Sequence, residues 1–181
     1  MACWTPSWTE ISTGGTPSVH EKLFTRIVDI FNQTALSNIA SPVSKLRTYN
    51  VFKKELGFEP YITSIKNVNH RKALSKFRLS NHQLMIEVGR HKKIPKLQRF
   101  CPFCPSPVVE DEIHFLINCP LYDPLRRDIK DKCLELKPNL PFYTDEQTFV
   151  FMMTSTNLYR ALAKFIHEAM IMRKELLSNT I

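Results

Sequence analysis

The stretch Cys101-Pro-Phe-Cys104, followed by Glu110-Asp-Glu-Ile-His-Phe-Leu-Ile-Asn-Cys119, decides how the middle of this chain folds. It spaces three cysteines and one histidine as C-x2-C-x9-H-x4-C. Structural zinc is commonly held in a tetrahedron of four such side chains, and Cys3His is one of its usual sets. A turn between the first two cysteines brings both sulfurs to one point, and flanking prolines favour that turn. The pattern predicts one structural zinc ion on Cys101, Cys104, His114 and Cys119.

Two other interpretations of these cysteines stay open at this point. Cysteine is often only a small buried apolar residue, and a C-x-x-C pair can also be a thioredoxin-like redox site. The redox site needs a strand–helix–strand context, which the residues around Cys101 do not show. We favour the metal because four metal-binding side chains in paired spacing seldom meet by chance. Cys133 has a different explanation, since it follows Leu125 and Ile129 at every fourth position of a predicted helix and is therefore expected to pack in the core.

The basic residues are concentrated in one part of the 181-residue chain. Residues 45–99 contain fourteen Lys and Arg against three Asp and Glu, a net charge of +11. Residues 1–44 have a net charge of −1 and residues 100–181 of −2. A cationic block of this kind is typical of a protein that binds a polyanion, most often nucleic acid. The alternative is a solvated lysine-rich surface without a partner.

Hydropathy and cysteine content indicate the cellular compartment in which the protein is expected to reside. The chain is 43% hydrophobic, which supports a folded core, but its apolar runs are too short to span a bilayer. The N-terminal residues have no basic region followed by an apolar stretch, so we expect no signal peptide. Five cysteines are an odd number and fit a reducing compartment. The sequence therefore predicts an intracellular protein of the nucleus or cytoplasm, neither secreted nor bound to a membrane.

Helical periodicity dominates the rest of the chain, and strand signals are weak. We expect a mainly α fold with a small Cys3His zinc knuckle and little or no β-sheet. The predicted segments are a flexible leader over 1–16, a helical region over 17–99 that contains the basic segment 45–99, the knuckle with its following helix over 100–136, and C-terminal helices over 137–181. Within them, Gly57 is predicted to end a helix over 43–56, and Gly89 to end a short helix that begins near 84.

The helix predicted over 69–79 carries part of the basic block. At about 100° per residue, its cations gather on one arc, opposite an apolar arc that contains Leu74 and Phe77. A second group of cations leads into the knuckle. The residues predicted to contact nucleic-acid phosphates are Arg71, Lys72, Lys76, Arg78, Arg90, Lys92, Lys93, Lys96 and Arg99.

Several of these segments together resemble a known family. The stretch from His70 to His82, the residues Ile86-Glu-Val-Gly-Arg90 and the string Glu110-Asp-Glu-Ile-His-Phe-Leu-Ile-Asn-Cys-Pro-Leu-Tyr-Asp-Pro-Leu-Arg126 accompany the C-x2-C pair. They resemble the region that follows the reverse transcriptase domain in non-LTR retrotransposon polyproteins, over roughly residues 45–128. The resemblance implies a zinc-binding module that contacts template RNA or target DNA beside the polymerase, with the four ligands named above.

The expected function follows from the metal ligands, the charge and this resemblance. We expect a non-catalytic module with one structural zinc ion that binds RNA or DNA through phosphate contacts. No Tyr-x-Asp-Asp motif, serine–histidine–acid set or glycine-rich phosphate loop is present in the sequence. The alternative is a zinc-braced protein–protein interaction module without nucleic-acid binding, in which the helix predicted over 157–177 docks a partner through Met170 and Met172.

Overall fold

The computed structural model describes residues 18–41, 44, 46–53 and 56–179. Over these residues the chain is helical, and the sole β-type pairing is an isolated antiparallel bridge between Phe100 and Val109. The prediction of a mainly α fold with little or no sheet is therefore confirmed. The leader predicted over 1–16 lies outside the described residues.

Eight α-helices make up the described part of the chain, with short 3₁₀ turns between some of them and one π-helical turn at His114–Asn118. The helices are α1 Val19–Ala40, α2 Arg47–Phe52, α3 Tyr61–Ser64, α4 Val68–Arg78, α5 Met85–His91, α6 Asp123–Leu136, α7 Asp145–Thr154 and α8 Tyr159–Ser178.

Local sequence signals explain where several helices begin. The Asn67 side chain accepts hydrogen bonds from the backbone N–H groups of Asn69 and His70 and so caps α4. Thr144 and Gln147 form a reciprocal capping box at the start of α7. Each cap satisfies backbone donors that the first helical turn would otherwise leave without a partner.

Gly57 and Gly89 do not end helices, contrary to the prediction. The helix near Gly57 stops at Phe52, and the next residue, Lys53, has an extended backbone conformation. The Lys53 ammonium lies 3.0 Å from Glu59. Gly89 lies inside α5, which continues to His91. Neither glycine has a positive φ, so neither adopts the left-handed conformation of a helix-terminating glycine.

The chain divides into two compact units, residues 1–35 and 36–181. In the first unit, the described part is the larger portion of α1, which presents exposed apolar side chains such as Leu23, Phe24, Ile27 and Phe31. None of the described helices combines the length and the hydropathy needed to cross a bilayer.

The second unit is built around α8. This helix packs most extensively against α4 and also contacts α6. Leu162, Phe165 and Ala169 on its buried face join a core that includes Leu74 and Phe115. Met170 and Met172, the side chains expected to dock a partner, are partly buried and pack against this core. The apolar stripe of the predicted C-terminal helix therefore packs against the core of this unit.

Candidate metal centre

A short antiparallel contact forms the first half of the centre. The backbone N–H of Cys101 donates to Val108 at 2.8 Å, and the N–H of Glu110 donates to Arg99 at 2.9 Å. These two bonds flank the bridge between Phe100 and Val109 and hold the intervening residues in a tight loop. This loop carries Cys101 and Cys104, whose thiols supply two of the four clustered ligand atoms.

The second half of the centre is the π-helical turn. Its defining hydrogen bond runs from the N–H of Cys119 to the carbonyl of His114, over 2.7 Å. The Asp111 carboxylate accepts from the N–H of His114 at 2.8 Å, as expected for an acidic residue at a helix N-terminus. Single π turns of this type often occur at functional sites, and this one brings the imidazole and the Cys119 thiol together.

The four predicted ligands converge on one point. The Sγ atom of Cys119 lies 3.9 Å from the Sγ atoms of both Cys101 and Cys104, and Cys104 Sγ lies 3.4 Å from His114 Nε2. All four ligand atoms lie within 4.8 Å of one another. Two sulfurs bound at about 2.3 Å to a tetrahedral ion would be about 3.8 Å apart, and a sulfur and a nitrogen about 3.6 Å apart. The residues thus fit a tetrahedral metal ion, as the spacing predicted.

One of the four candidate ligands is more exposed to solvent than the others. Cys101, His114 and Cys119 are buried, whereas Cys104 is partly exposed. Cys133 is also buried, on α6 and within the core, and it is not a member of the ligand cluster. Its predicted role as a packing residue is confirmed.

Hydrogen bonding within the cluster favours a negative charge on one thiol. A hydrogen bond from Cys119 lowers the pKa of the Cys101 thiol well below that of a free cysteine. The same hydrogen bond and burial raise the pKa of Cys119, and burial raises the pKa of Cys104. One thiolate is therefore stabilised among three closely spaced thiols, and thiolates are the form that binds a cation.

Two acidic residues next to the cluster have partners that sequence reasoning missed. Glu110 is buried, and its carboxylate contacts the guanidinium of Arg173 on α8 at 2.8 and 2.9 Å. Burial raises the pKa of Glu110 to about 7, although the charge of Arg173 opposes that shift. Glu112 lies 2.9 Å from Nε2 of His82. Arg173 follows Ala169 by four positions on the apolar stripe, and a charge on such a stripe is the signal that a buried partner exists.

Three of the nine cations predicted to contact phosphates bind other groups of the protein instead. They are Arg71, Arg78 and Arg99. Arg78 is 3% exposed, and its guanidinium bonds to the carbonyl of Met153 and to Glu59. On the helical wheel it lies only about 40° from Leu74, so the core side of α4 includes it. Arg71 donates to the carbonyl of Ile65 at 2.8 Å. The placement of Arg78 on the outer arc was wrong.

Arg99 is likewise structural. Its guanidinium donates to the carbonyl of Ile94 at 2.9 Å and to that of Ile86 at 2.7 Å. Its aliphatic part lies directly over Gly89, where an added Cβ would be 2.6 Å from Cγ of the arginine. Arg99 therefore fixes the segment before the knuckle onto α5, instead of reaching into solvent.

The remaining six cations lie at the surface. Arg90 is exposed and pairs with Glu87 at 2.9 Å. The other five are lysines for which the described part of the chain provides no ion-pair partner. They are Lys72 and Lys76 on α4, and Lys92, Lys93 and Lys96 between α5 and the knuckle.

Comparisons with protein-family models, with curated proteins and with solved structures find no match for this chain. The site is therefore defined by its own geometry, which is a cluster of three thiols and one imidazole spaced to hold a metal ion.

Proposed function

We propose that the chain is a non-catalytic module that holds one structural zinc ion and binds RNA or DNA through phosphate contacts. The metal assignment is supported by the ligand set. Three cysteines and a histidine suit zinc, and a site with four protein ligands leaves no position for a reacting water. The metal would join the loop that carries Cys101 to the turn that carries His114, and so contribute to the folding free energy.

One observation carries the nucleic-acid proposal. Lys92, Lys93 and Lys96 are exposed on a segment that ends at Arg99, whose side chain makes two partly buried hydrogen bonds to backbone carbonyls. A cationic segment held in one conformation loses little conformational entropy on binding a polyanion. Lysines that neutralise phosphates release counterions, which supplies most of the affinity of a protein that does not read base sequence.

The resemblance to the region after the reverse transcriptase domain of non-LTR retrotransposons supports the same role. In that setting the module would hold template RNA or target DNA next to a polymerase, and it would supply no catalytic group. Its free cysteines are compatible with a reducing compartment, the nucleus or the cytoplasm.

A second candidate function is a protein–protein interaction module braced by zinc. The observation that favours it is the apolar side of α1, on which Leu23, Phe24, Ile27 and Phe31 are each more than half exposed. Exposed apolar patches of this kind commonly mark protein contacts. This function predicts self-association or partner binding that is insensitive to salt, whereas phosphate binding weakens steeply with salt.

Metal analysis tests the first part of the proposal. Purified wild-type protein is expected to contain about one zinc per chain, and Cys104→Ser to lose most of it, because a fourth protein ligand is missing. Cys133→Ser is the matched control and should keep its zinc, since that thiol is in the core. Full zinc retention by Cys104→Ser would contradict the assignment.

Salt-dependent binding tests the second part. Fluorescence anisotropy with labelled RNA and DNA would compare the wild type with a variant in which Lys92, Lys93 and Lys96 are glutamate. The slope of log K against log salt should become shallower by about 2–3 if each lysine meets one phosphate. A control with the same charge change replaces Arg127, Lys130 and Lys132, which are exposed on α6. Equal losses in the two variants, or no binding by the wild type at low salt, would contradict the proposal.

A further inference from the structure

A groove runs between α4 and α8, the two helices with the most extensive mutual contact. Its volume is about 480 Å³. The partly buried Ala73 of α4 and Met170 of α8 form an apolar floor, and Phe77 and Ile166, which also line the groove, are almost fully buried. Because both helices belong to the second compact unit, the groove is a property of that unit alone.

The rims of this groove are cationic. Lys72 and Lys76 lie on the α4 rim and Lys174 on the α8 rim, and all three side chains are exposed. The described part of the chain gives none of these ammonium groups an ion-pair partner. Lys72 and Lys76 are among the predicted phosphate contacts, whereas Lys174, 98 positions beyond Lys76, is not.

The charge of the groove differs from that of the surface beside the metal. No described carboxylate lines the groove between α4 and α8. A second depression of about 510 Å³, next to Cys104, is lined by Asp111, Asp145 and Glu146, and no described lysine or arginine lines it. Of these two depressions, a polyanion is therefore expected to occupy the groove between α4 and α8 and to avoid the one beside Cys104.

One polar side chain in the groove wall has unused hydrogen-bonding capacity. The His82 side chain is 3% exposed, lines the groove, and bonds through Nε2 to Glu112 at 2.9 Å. Its other ring nitrogen, Nδ1, is buried and has no hydrogen-bond partner among the described residues. Buried polar atoms without a partner are rare in folded proteins, and a bound polar group can supply the missing hydrogen bond.

We propose that a single-stranded nucleic acid lies along this groove, with consecutive phosphates against Lys72, Lys76 and Lys174 and a base against the apolar floor. The inference rests on the proposed nucleic-acid-binding function and specifies both its site and its ligand class. Lysines on both rims can neutralise a backbone that passes between them. The base then covers Ala73 and Met170, and its polar edge lies near His82.

The shape of the site favours a single strand over a duplex. In a duplex the bases are stacked inside the double helix, so their apolar faces could not contact the narrow floor of the groove. A single strand can turn its bases toward the protein, and single strands are commonly bound in positively charged grooves in which the bases contact side chains. Here the apolar contact is supplied by Ala73 and Met170, which are partly buried. A volume of about 480 Å³ falls within the range of about 300–1,000 Å³ of sites that bury a small organic group.

The test compares two triple variants of the full chain with zinc bound. In the first, Lys72, Lys76 and Lys174 are glutamine, which retains length and polarity but removes the charge. In the control, Arg127, Lys130 and Lys132 on α6 are glutamine. A labelled oligouridylate of twelve nucleotides is titrated over a range of salt concentrations. With about 0.7 counterions released per phosphate, the groove variant should lose about 2 from the salt slope and about 10–100-fold in affinity near 0.1 M salt.

Methyl NMR of the methionines gives a readout that does not depend on charge. Met170 lies on the groove floor, whereas Met152 is buried against other helices and serves as the internal reference. The Met170 resonance should move on titration of the wild type, and that of Met152 should remain in place. Retained zinc and an unchanged melting temperature establish that both triple variants are folded.

The outcomes separate this inference from the proposed function. If the groove variant binds like the control and Met170 does not shift, while replacement of Lys92, Lys93 and Lys96 abolishes binding, the groove assignment is wrong and the proposed function stands. Tighter binding of duplex than of single strand, with Met170 unmoved, also overturns the groove. If the wild type binds no nucleic acid at low salt, both are wrong.

Discussion

Arg173 on α8 reaches Glu110, which directly follows the loop that carries Cys101 and Cys104, and its Nη1 and Nη2 atoms lie 2.8 and 2.9 Å from the two carboxylate oxygens. Both side chains are almost fully buried. The same guanidinium lies 5.2 Å from the ring centroid of Phe103, between the first two cysteines of the cluster. One charged side chain of the C-terminal helix therefore contacts both the loop that carries the two cysteines and the residue that follows it.

Replacement of Arg173 should destabilise the whole unit. Arg173→Met leaves the Glu110 carboxylate buried without its counter-charge, which typically costs about 3–5 kcal/mol. Urea unfolding of the zinc-bound protein measures the loss. Arg160→Met is the matched control on the same helix, because Arg160 is exposed and makes one hydrogen bond to the Ser64 carbonyl, so its loss should cost less than about 1 kcal/mol.

The double variant Glu110→Gln with Arg173→Met separates charge from packing. Its amide carries no charge and can still accept from the backbone N–H of Met85, which now donates to Glu110 at 2.7 Å. Stability should recover in part relative to Arg173→Met alone. An Arg173→Met loss no larger than that of the Arg160 control would show that the buried pair does not hold the loop.

Substitutions of two neighbouring cations on α4 should affect different properties. Replacement of Arg78 should lower folding stability, and replacement of Lys76 should weaken oligonucleotide binding. Arg78→Gln removes a guanidinium that contacts Glu59 at 2.9 Å and lies 4.3 Å from the Phe52 ring centroid, and should cost about 3–5 kcal/mol of folding stability. Lys76→Gln removes an exposed charge and should change stability by less than about 0.5 kcal/mol. The salt slope for oligonucleotide binding should fall by about 0.7 for Lys76→Gln alone. A changed slope for folded Arg78→Gln would contradict its structural role.

Acid should weaken the cluster around Glu59. The Glu59 carboxylate lies within 3.0 Å of Tyr49 Oη, Lys53 Nζ and Arg78 Nη2. Burial raises its pKa, but the hydrogen bond from Lys53, the charge of Arg78 and the hydrogen bond from Tyr49 outweigh burial and hold the pKa below its ordinary value of 4.5. A depressed folded-state pKa stabilises the fold above the unfolded-state pKa, and the contribution disappears as the pH falls through the folded-state pKa.

Melting temperatures of the wild type and Glu59→Gln between about pH 3 and pH 7 test this dependence. The difference should be largest at neutral pH and should shrink below about pH 4.5, where the wild-type carboxylate becomes protonated as well. Acid also removes metal from both proteins, so the difference between them is the relevant quantity. A gap that stays constant with pH would rule out a charge-based contribution from Glu59.

Gly89 should tolerate no side chain. A Cβ added there would lie 2.6 Å from Cγ and 2.8 Å from Cδ of Arg99, whose guanidinium is held by two backbone carbonyls. Gly89→Ala should therefore cost about 1–3 kcal/mol from overpacking, more than the roughly 0.5–1 kcal/mol gained from helix propensity. Gly57→Ala, with no atom within 4 Å of its added Cβ, should be neutral or slightly stabilising in chemical unfolding. Equal effects at the two glycines would contradict this contact.

The metal ligands and most helices were predictable from sequence because the relevant information is local. The C-x2-C pair lies on a single turn, and His114 and Cys119 lie on one short helical segment, so spacing limits where each ligand atom can be. In the same way, the periodic apolar residues of α8 predict a buried face without knowledge of what covers it.

Only the tertiary structure determined which charges are buried. Arg78 meets a carbonyl 75 positions away, and Arg173 meets a carboxylate 63 positions away. Periodicity can place an arginine on the apolar side of a helix, but it cannot identify the partner of that arginine, because sequence patterns contain no distances between remote residues. A buried guanidinium is stable only when its partners converge from several elements at once, so its position depends on packing of the whole unit and not on its neighbours in the chain.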